Sequence, residues 1–397
     1  SIATYSCGGS HGIGPFWVVR TVFPFASHLD CCNERGTNTV LDVPRRAALR
    51  QLHPTARSPI TKENQKPGDR TQMKTRRLGK TDFLVSEIGL GTWQLGGDFG
   101  PIEDMDASTI LANAARLGVN FWDTADVYGN GLSEHRIGTF YGKPDGLVVA
   151  TKVGRAAALY PDKYTKGGVR ESLEESARRL CVDSIDLAQL HCVPREVLEA
   201  GEIFGWMDEI KAEGLIKNWG ASVETIAEAE ICLEHEGLAT LQIIFNIFRQ
   251  DATESLLDKA MERDVGVIVR LPLASGLLSG KYTRDSEFSP TDHRSYNRDG
   301  QAFSVGETFG GIPFETGVEL ADELRGYVPE GQRMSLFALR WILDHKAVST
   351  IIAGVSRPDQ IGVNAEAGDL PELPQSVHEK LAEFYAEKVR PTIRGDI

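Results

Sequence analysis

The stretch "LVVATKV" (147–153) is apolar along its whole length except for Thr151 and Lys152, and "VRESLEESARRL" (169–180) follows it with apolar side chains at helical spacing. "SIDLAQLH" (184–191) then restores the strand character and ends on a histidine. A strand without a polar alternate face is one covered on both sides, as parallel strands between helices are. Parallel neighbours also need a long crossover, which the intervening helix supplies. Repetition of this unit decides the fold.

Outward from it, the unit recurs in both directions. Upstream, "FLVSEIGLG" (83–91) precedes "DASTILANAARLG" (106–118), and "VNFWDTA" (119–125) precedes "SEHRIGTFY" (133–141). Downstream, "EIFGWMDEIKAEG" (202–214) follows the histidine strand. "IKNWGAS" (216–222) leads to "ETIAEAEICLEHE" (224–236), and "TLQIIFNIF" (240–248) to "ESLLDKAMERD" (254–264). "VGVIVRLPL" (265–273) and "STIIAGV" (349–355) complete eight strands, with "SLFALRWILDH" (335–345) and "PDQIGVNAEA" (358–367) beside the last. Eight such units predict an α/β fold, a closed (β/α)8 TIM barrel over residues 73–397. An open doubly wound sheet needs fewer strands and a glycine turn after the first. Its only candidate, "EIGLGTWQLGG" (87–97), is not directly followed by a helix.

In such a barrel functional groups stand at the C-terminal ends of the strands. Those positions are Thr92, Asp123, Lys152, His191, Ser222, Gln242, Arg270 and Gly354. One lysine or histidine after a strand is ordinarily a solvated or structural group. A polar or ionisable side chain at nearly every strand end converges on a single mouth.

The N-terminal stretch is of another kind. "CGGSHGIG" (7–14) has the glycine spacing of a dinucleotide turn, but no buried strand precedes it and no helix follows, so it reads as a glycine-rich loop. Residues 1–72 hold nine Lys/Arg against five Asp/Glu, an excess of four positive charges that leaves −17 on residues 73–397 of a chain with net charge −13. They are polar, contain prolines and lack sustained periodicity. Three origins fit: a targeting peptide, a poorly ordered extension, or sequence upstream of a natural start at Met73. Asp30, Glu34 and Asp42 weaken the first. The expectation is a dispensable, mostly disordered leader. The acidic balance excludes a nucleic-acid or anionic-membrane partner, and no apolar run reaches the length of a membrane span. The six cysteines (7, 31, 32, 181, 192 and 232) form no C-x-x-C pair or zinc-ligand spacing. No metal is expected, and reduced thiols suit a cytoplasmic protein.

Nearly everything after Met73 resembles the aldo-keto reductase family. "FWDTADVYGNGLSE" (121–134) resembles that family's Asp-to-Tyr signature, "VVATKVG" its lysine strand and "LAQLHCVP" its histidine strand. "NWGASVE", "LQIIFN", "VIVRLPLASGLLSGKY" and "TIIAGVSRPDQIGVNAEA" resemble its successive cofactor segments, and "KTRRLGKTDFLVSEI" (74–88) the hairpin that closes the bottom of these barrels. The resemblance implies NADPH-dependent reduction of an aldehyde or ketone, sugar-like among the options, with NADH as the alternative cofactor. It assigns Asp123, Tyr128, Lys152 and His191 to catalysis. A phenol is a reluctant acid at neutral pH. The Lys152 ammonium beside it is expected to lower its pKa, with Asp123 holding the lysine charged. His191 then orients the carbonyl oxygen.

The same resemblance implies an extended cofactor across the barrel mouth, beginning at Thr92, Trp93 and Asp123. Ser222 and Gln242 hold the carboxamide, and Arg270 stands where many relatives place an aromatic ring against the nicotinamide. A guanidinium there favours reduced over cationic, oxidised cofactor. Leu271, Pro272, Leu273, Ser275 and Lys281 wrap the pyrophosphate, and Gly354, Ser356, Gln360 and Asn364 receive the adenosine end. Many relatives carry Lys and Arg for a 2′-phosphate where this chain has Gly354 and Gln360; Arg294 and Arg357 are the candidate substitutes. Val223 removes one polar contact found after the serine in relatives. Two other functions compete: a cofactor-binding regulatory subunit resembling potassium-channel β subunits, against which the intact His191 argues, and a lyase forming a Schiff base on Lys152. The carbonyl substrate and the oligomeric state stay open.

Overall fold

The structure, a computed structural model, describes residues 73–140 and 142–397; the glycine-rich stretch at 7–14 and the leader over 1–72 lie outside the described residues. Eight parallel strands close a barrel: β3 (Ile88–Gly91), β4 (Phe121–Asp123), β5 (Val148–Val153), β6 (Ile185–His191), β7 (Ile216–Ser222), β8 (Thr240–Ile244), β9 (Gly266–Arg270) and β10 (Val348–Gly354). Closure is made by β10 against β3, in register from Ile351 opposite Ile88 to Gly354 opposite Gly91. Nearly every residue of these strands is buried, as continuous apolar runs require.

The segment 83–91 is not one strand. It divides at Glu87 into β2 (Leu84–Ser86), paired antiparallel with β1 (Thr75–Arg77), and barrel strand β3. Glu87 accepts from Arg76 Nε at 2.8 Å, and the same guanidinium donates to the carbonyls of Leu343, His345 and Val348. The hairpin is thereby tied to the end of helix Met334–Leu343 and to the last strand. Its Leu78 and Val85 are fully buried against Phe121, Val148, Leu187, Ile268 and Ile352, which stoppers the barrel bottom as the family resemblance implies.

Local capping sets several helix boundaries that periodicity misses. Helix Lys166–Leu180 begins three residues before its apolar pattern because the Thr165 side chain accepts from Gly168 N at 3.1 Å. Helix Ile226–Leu233 opens on a capping box between Thr225 and Glu228. A further short helix, Arg195–Ala200, precedes Glu202–Ala212 and is separated from it by Gly201 at φ 78°. The polar stretch 282–311 folds back over the mouth with one short helix, His293–Tyr296, and the turns Val305–Glu307 and Phe309–Gly311. It is held there by Arg249 and Arg394, both donating to backbone carbonyls of Gly310 and Gly311. Among the described residues no helix is long and apolar enough to cross a membrane.

Candidate active site

The strand ends converge as the barrel geometry demands. A cavity of about 540 Å³ is lined by Thr92, Trp93, Asp123, Tyr128, His191, Ser222, Gln242, Arg270, Leu271 and Gly354, all named from the sequence, together with Gln94, Phe99 and Glu307. Lys152 lies beneath, fully buried. A wider cavity of about 810 Å³ shares Trp93, Tyr128 and His191 and extends outward between Asp98, Arg155, Tyr160, Tyr296 and Phe303. The two spaces meet at the tyrosine and the histidine.

Lys152 Nζ donates to a carboxylate oxygen of Asp123, to the Thr124 carbonyl at 2.8 Å and to Tyr128 Oη at 3.0 Å. Three acceptors saturate the ammonium. The other Asp123 oxygen accepts from Gln189 Nε2 at 2.9 Å and Gln242 Nε2 at 2.8 Å. Burying an ion pair is costly unless its remaining hydrogen-bond capacity is met, and this network meets it. Gln189 was not among the sequence candidates. Strand alternation is the signal that finds it, since Leu187, Gln189 and His191 point to the same side of β6. Gln242 also donates to Gln189 Oε1 at 3.0 Å and accepts from Ser222 Oγ at 3.3 Å. Both its amide hydrogens therefore turn into the barrel, leaving Ser222 and the Gln242 carbonyl nearer the cavity.

The expected fall in the Tyr128 pKa is not the net result. Burial pushes the phenol up to about 12, although the Lys152 ammonium pulls it down. Burial would also lower the lysine, but Asp123 and the phenol outweigh it, so its pKa is raised and the charge retained. His191 is held well below its ordinary value, first by burial and then by the Lys152 and Arg155 charges. At neutral pH the site thus holds a protonated phenol, an ammonium and a neutral imidazole. The His191 and Tyr128 rings are edge-to-face, 5.9 Å apart, and Trp93 stacks on Tyr128 at 5.8 Å.

Sequence reasoning missed a second charged cluster. Glu307, carried in on the 282–311 segment, accepts from Arg155 Nη1 at 2.9 Å and lies 3.8 Å from Arg270 Nη1. Arg155 also reaches Glu224 at 3.4 Å, and Arg270 donates to the Val223 carbonyl at 3.0 Å. No periodic pattern marks a single glutamate in an irregular loop, so only the fold reveals it. Ligand atoms of Cys192, Glu224 and Glu307 lie within 4.8 Å of one another. A metal ion there would face two fixed guanidinium charges that already neutralise the carboxylates.

Apart from Leu271, the remaining candidates are not among the residues lining the cavity. Leu271 and Ser275 have φ of 51° and 53°, and Ser275 Oγ accepts from Phe309 N at 3.1 Å, joining the loop after β9, which includes Pro272 and Leu273, to the covering segment. Lys281 is exposed. Arg294 is ion-paired with Asp292 and lies over the Phe288 ring at 4.5 Å, so its charge is already matched. Gln360 Oε1 accepts from Ser356 N at 2.7 Å and Arg357 N at 3.0 Å, occupying backbone donors just after β10. Arg357 is exposed and pairs with Asp359 at 3.4 Å. Asn364 is buried on helix Gln360–Ala365.

An eight-stranded barrel with an Asp–Tyr–Lys–His cluster at its mouth is the architecture of an oxidoreductase, and comparison with known proteins agrees. Residues 87–386 match the model of the aldo/keto reductase family, and the chain belongs to that family. It is 31% identical over 328 residues to the "NADH-specific methylglyoxal reductase" of Escherichia coli, covering 74% of this chain and 93% of that protein. It is 27% identical over 341 residues to the "Probable voltage-gated potassium channel subunit beta" of Arabidopsis thaliana, covering 80% and 98%. Among solved structures, the glycerol dehydrogenase of Gluconobacter oxydans superposes with a TM-score of 0.65 at 28% identity, over 81% of this chain and 98% of that one.

Proposed function

We propose that the protein reduces a small, uncharged, sugar-like aldehyde or ketone to the alcohol, using a nicotinamide dinucleotide held across the barrel mouth. The observation that carries this reading is Tyr128 Oη, 3.0 Å from the Lys152 ammonium at the junction of the two cavities. The inner cavity suits the nicotinamide end because His191 Nδ1, Arg270 Nε and Gln94 Oε1 are buried there without hydrogen-bond partners among the described residues. Unpaired buried polar atoms are costly, and a polar ligand meets them. Ser222, Gln242 and Arg270 would hold that end; Leu271 to Ser275 would follow the pyrophosphate, and Ser356 and Asn364 would receive the adenosine. When bound, the cofactor supplies the hydride.

The chain's own groups do the rest. Neutral His191 orients the carbonyl oxygen from the wider cavity. Tyr128, fully protonated at neutral pH, gives its proton to the developing alkoxide. Lys152 stays an ammonium beside it and stabilises the phenolate left behind, and Asp123 keeps the lysine in place. At neutral pH the phenol is therefore in the proton-bearing form that donation to the alkoxide requires. The outer walls, Trp93, Tyr160, Tyr296 and Phe303 with Asp98, offer aromatic faces and a hydroxyl acceptor. The regulatory-subunit reading draws on the potassium-channel relative; the complete tetrad favours catalysis.

NADPH is the favoured cofactor, with NADH close behind. Arg294 is matched by Asp292, and exposed Arg357, paired with Asp359 at 3.4 Å, contributes at most about 1 kcal/mol near the adenosine end. A panel of aldehydes, ketones and aldoses assayed with both cofactors tests this. NADPH should be preferred in kcat/KM by less than about tenfold, following from that magnitude. No turnover of any carbonyl with either cofactor would refute the reading.

A further inference from the structure

Arg270 and Arg155 bring two buried guanidinium groups to the mouth, with side chains 10% and 16% exposed. A nicotinamide ring is neutral when reduced and positively charged when oxidised, so a site lined by Arg270 alone would reject the oxidised form. The sequence therefore predicts a bias toward reduced cofactor. The structure adds a carboxylate to that balance. Glu307 lines the same cavity as Arg270, Tyr128 and Gln242. Its Oε1 accepts from Arg155, accepts from Cys192 Sγ at 3.6 Å and faces Arg270 at 3.8 Å. Burial would push Glu307 up, but Arg155 and Arg270 hold it well below the usual carboxylate range, so it is a permanent anion. Neighbouring Glu224 is the opposite case, pushed up to about 7 by burial and by the Glu307 charge. Glu307 is thus the constant negative charge of the cluster.

We infer that Glu307 is the counter-charge to Arg270 at the nicotinamide end, so that this pair sets the ratio of affinities for oxidised and reduced cofactor. The inference rests on the cofactor assignment proposed above. Its physical basis is Coulombic: removing one buried charge near a second leaves an uncompensated field that acts on a cationic ring and not on a neutral one. Glu307 acts through Arg270 and is a positioning residue. A purely structural role, anchoring the 282–311 segment, predicts instead that both cofactor forms are weakened alike.

Dissociation constants of NADP⁺ and NADPH, measured by tryptophan fluorescence on the full chain, distinguish these roles. Glu307→Gln keeps the shape and the acceptor facing Arg155. It should weaken NADP⁺ by roughly tenfold or more and NADPH by less than about threefold. Arg270→Gln should shift the ratio the other way, and the double variant should return it toward the unaltered value. Equal weakening of both forms in Glu307→Gln, or an unchanged ratio, overturns the inference. If Glu307→Gln alone fails to fold, the double variant compared with Arg270→Gln decides: NADP⁺ weakened relative to NADPH in the double variant supports the pairing, and an equal ratio in the two overturns it. If the unaltered protein binds neither form, the cofactor assignment falls and the pairing with it. Binding with an unmoved ratio removes the pairing only.

Discussion

At Tyr128, burial and an adjacent ammonium act in opposite directions, and burial wins, leaving the pKa at about 12. In the proposed mechanism the lysine therefore holds the phenolate after proton transfer rather than making the phenol strongly acidic beforehand. General-acid assistance is typically worth about 10²–10⁴-fold, so Tyr128→Phe and Lys152→Met should each lower kcat by at least about 10²-fold. If the lysine acts through the tyrosine as proposed, the double variant should be little slower than the worse single one. Steady-state kinetics on all three variants checks this, and multiplicative losses would separate the two residues. The strand-end residues of this cluster were legible from sequence because barrel topology says where strand ends go. Gln189 was legible only through alternation, and Glu307 not at all, since its position depends on how an irregular segment folds back. The direction of the Tyr128 shift was also hidden, because burial depth is a property of the closed mouth.

The elements around the barrel show the same division. The hairpin β1–β2 was expected from the family resemblance, but the break at Glu87 was not, because an apolar run looks alike whether it belongs to one sheet or two. Irregular structure with glycine and polar residues gave no clue to how segment 282–311 is held. His293 of that segment is fully buried against Trp93 and Phe99, with ring centroids 4.7 and 4.4 Å away, and neither of its nitrogens has a hydrogen-bond partner among the described residues. Burial lowers its pKa to about 4. A histidine whose folded pKa lies below its unfolded value contributes stability that is complete above about pH 6.5 and is lost as pH falls toward about 4. His293→Phe removes that titration and keeps a ring against the neighbouring aromatics. Between about pH 7 and about pH 5 the melting temperature should therefore fall further in the unaltered protein than in the variant. Equal falls would mean that protonation of His293 does not oppose closure of the segment.

On the scale of the whole molecule, eight strands, their helices and the bottom hairpin are complete within residues 73–397, and every group assigned to the site lies between Thr92 and Asn364. Nothing in the proposed chemistry requires residues 1–72. A chain beginning at Met73 should fold to the same circular-dichroism spectrum and keep kcat/KM within about twofold, since surface or terminal changes remote from core and site usually cost little. An insoluble or inactive product would move the domain boundary upstream. The central claim is that Tyr128 protonates the product of hydride transfer. Single-turnover stopped-flow measurement of NADPH oxidation, on mixing the loaded protein with an accepted aldehyde, tests it most directly. The unaltered protein should oxidise its bound cofactor in one exponential phase, and Tyr128→Phe should bind NADPH equally well but oxidise it about 10²–10⁴-fold more slowly. Equal rates in the two proteins would contradict the account.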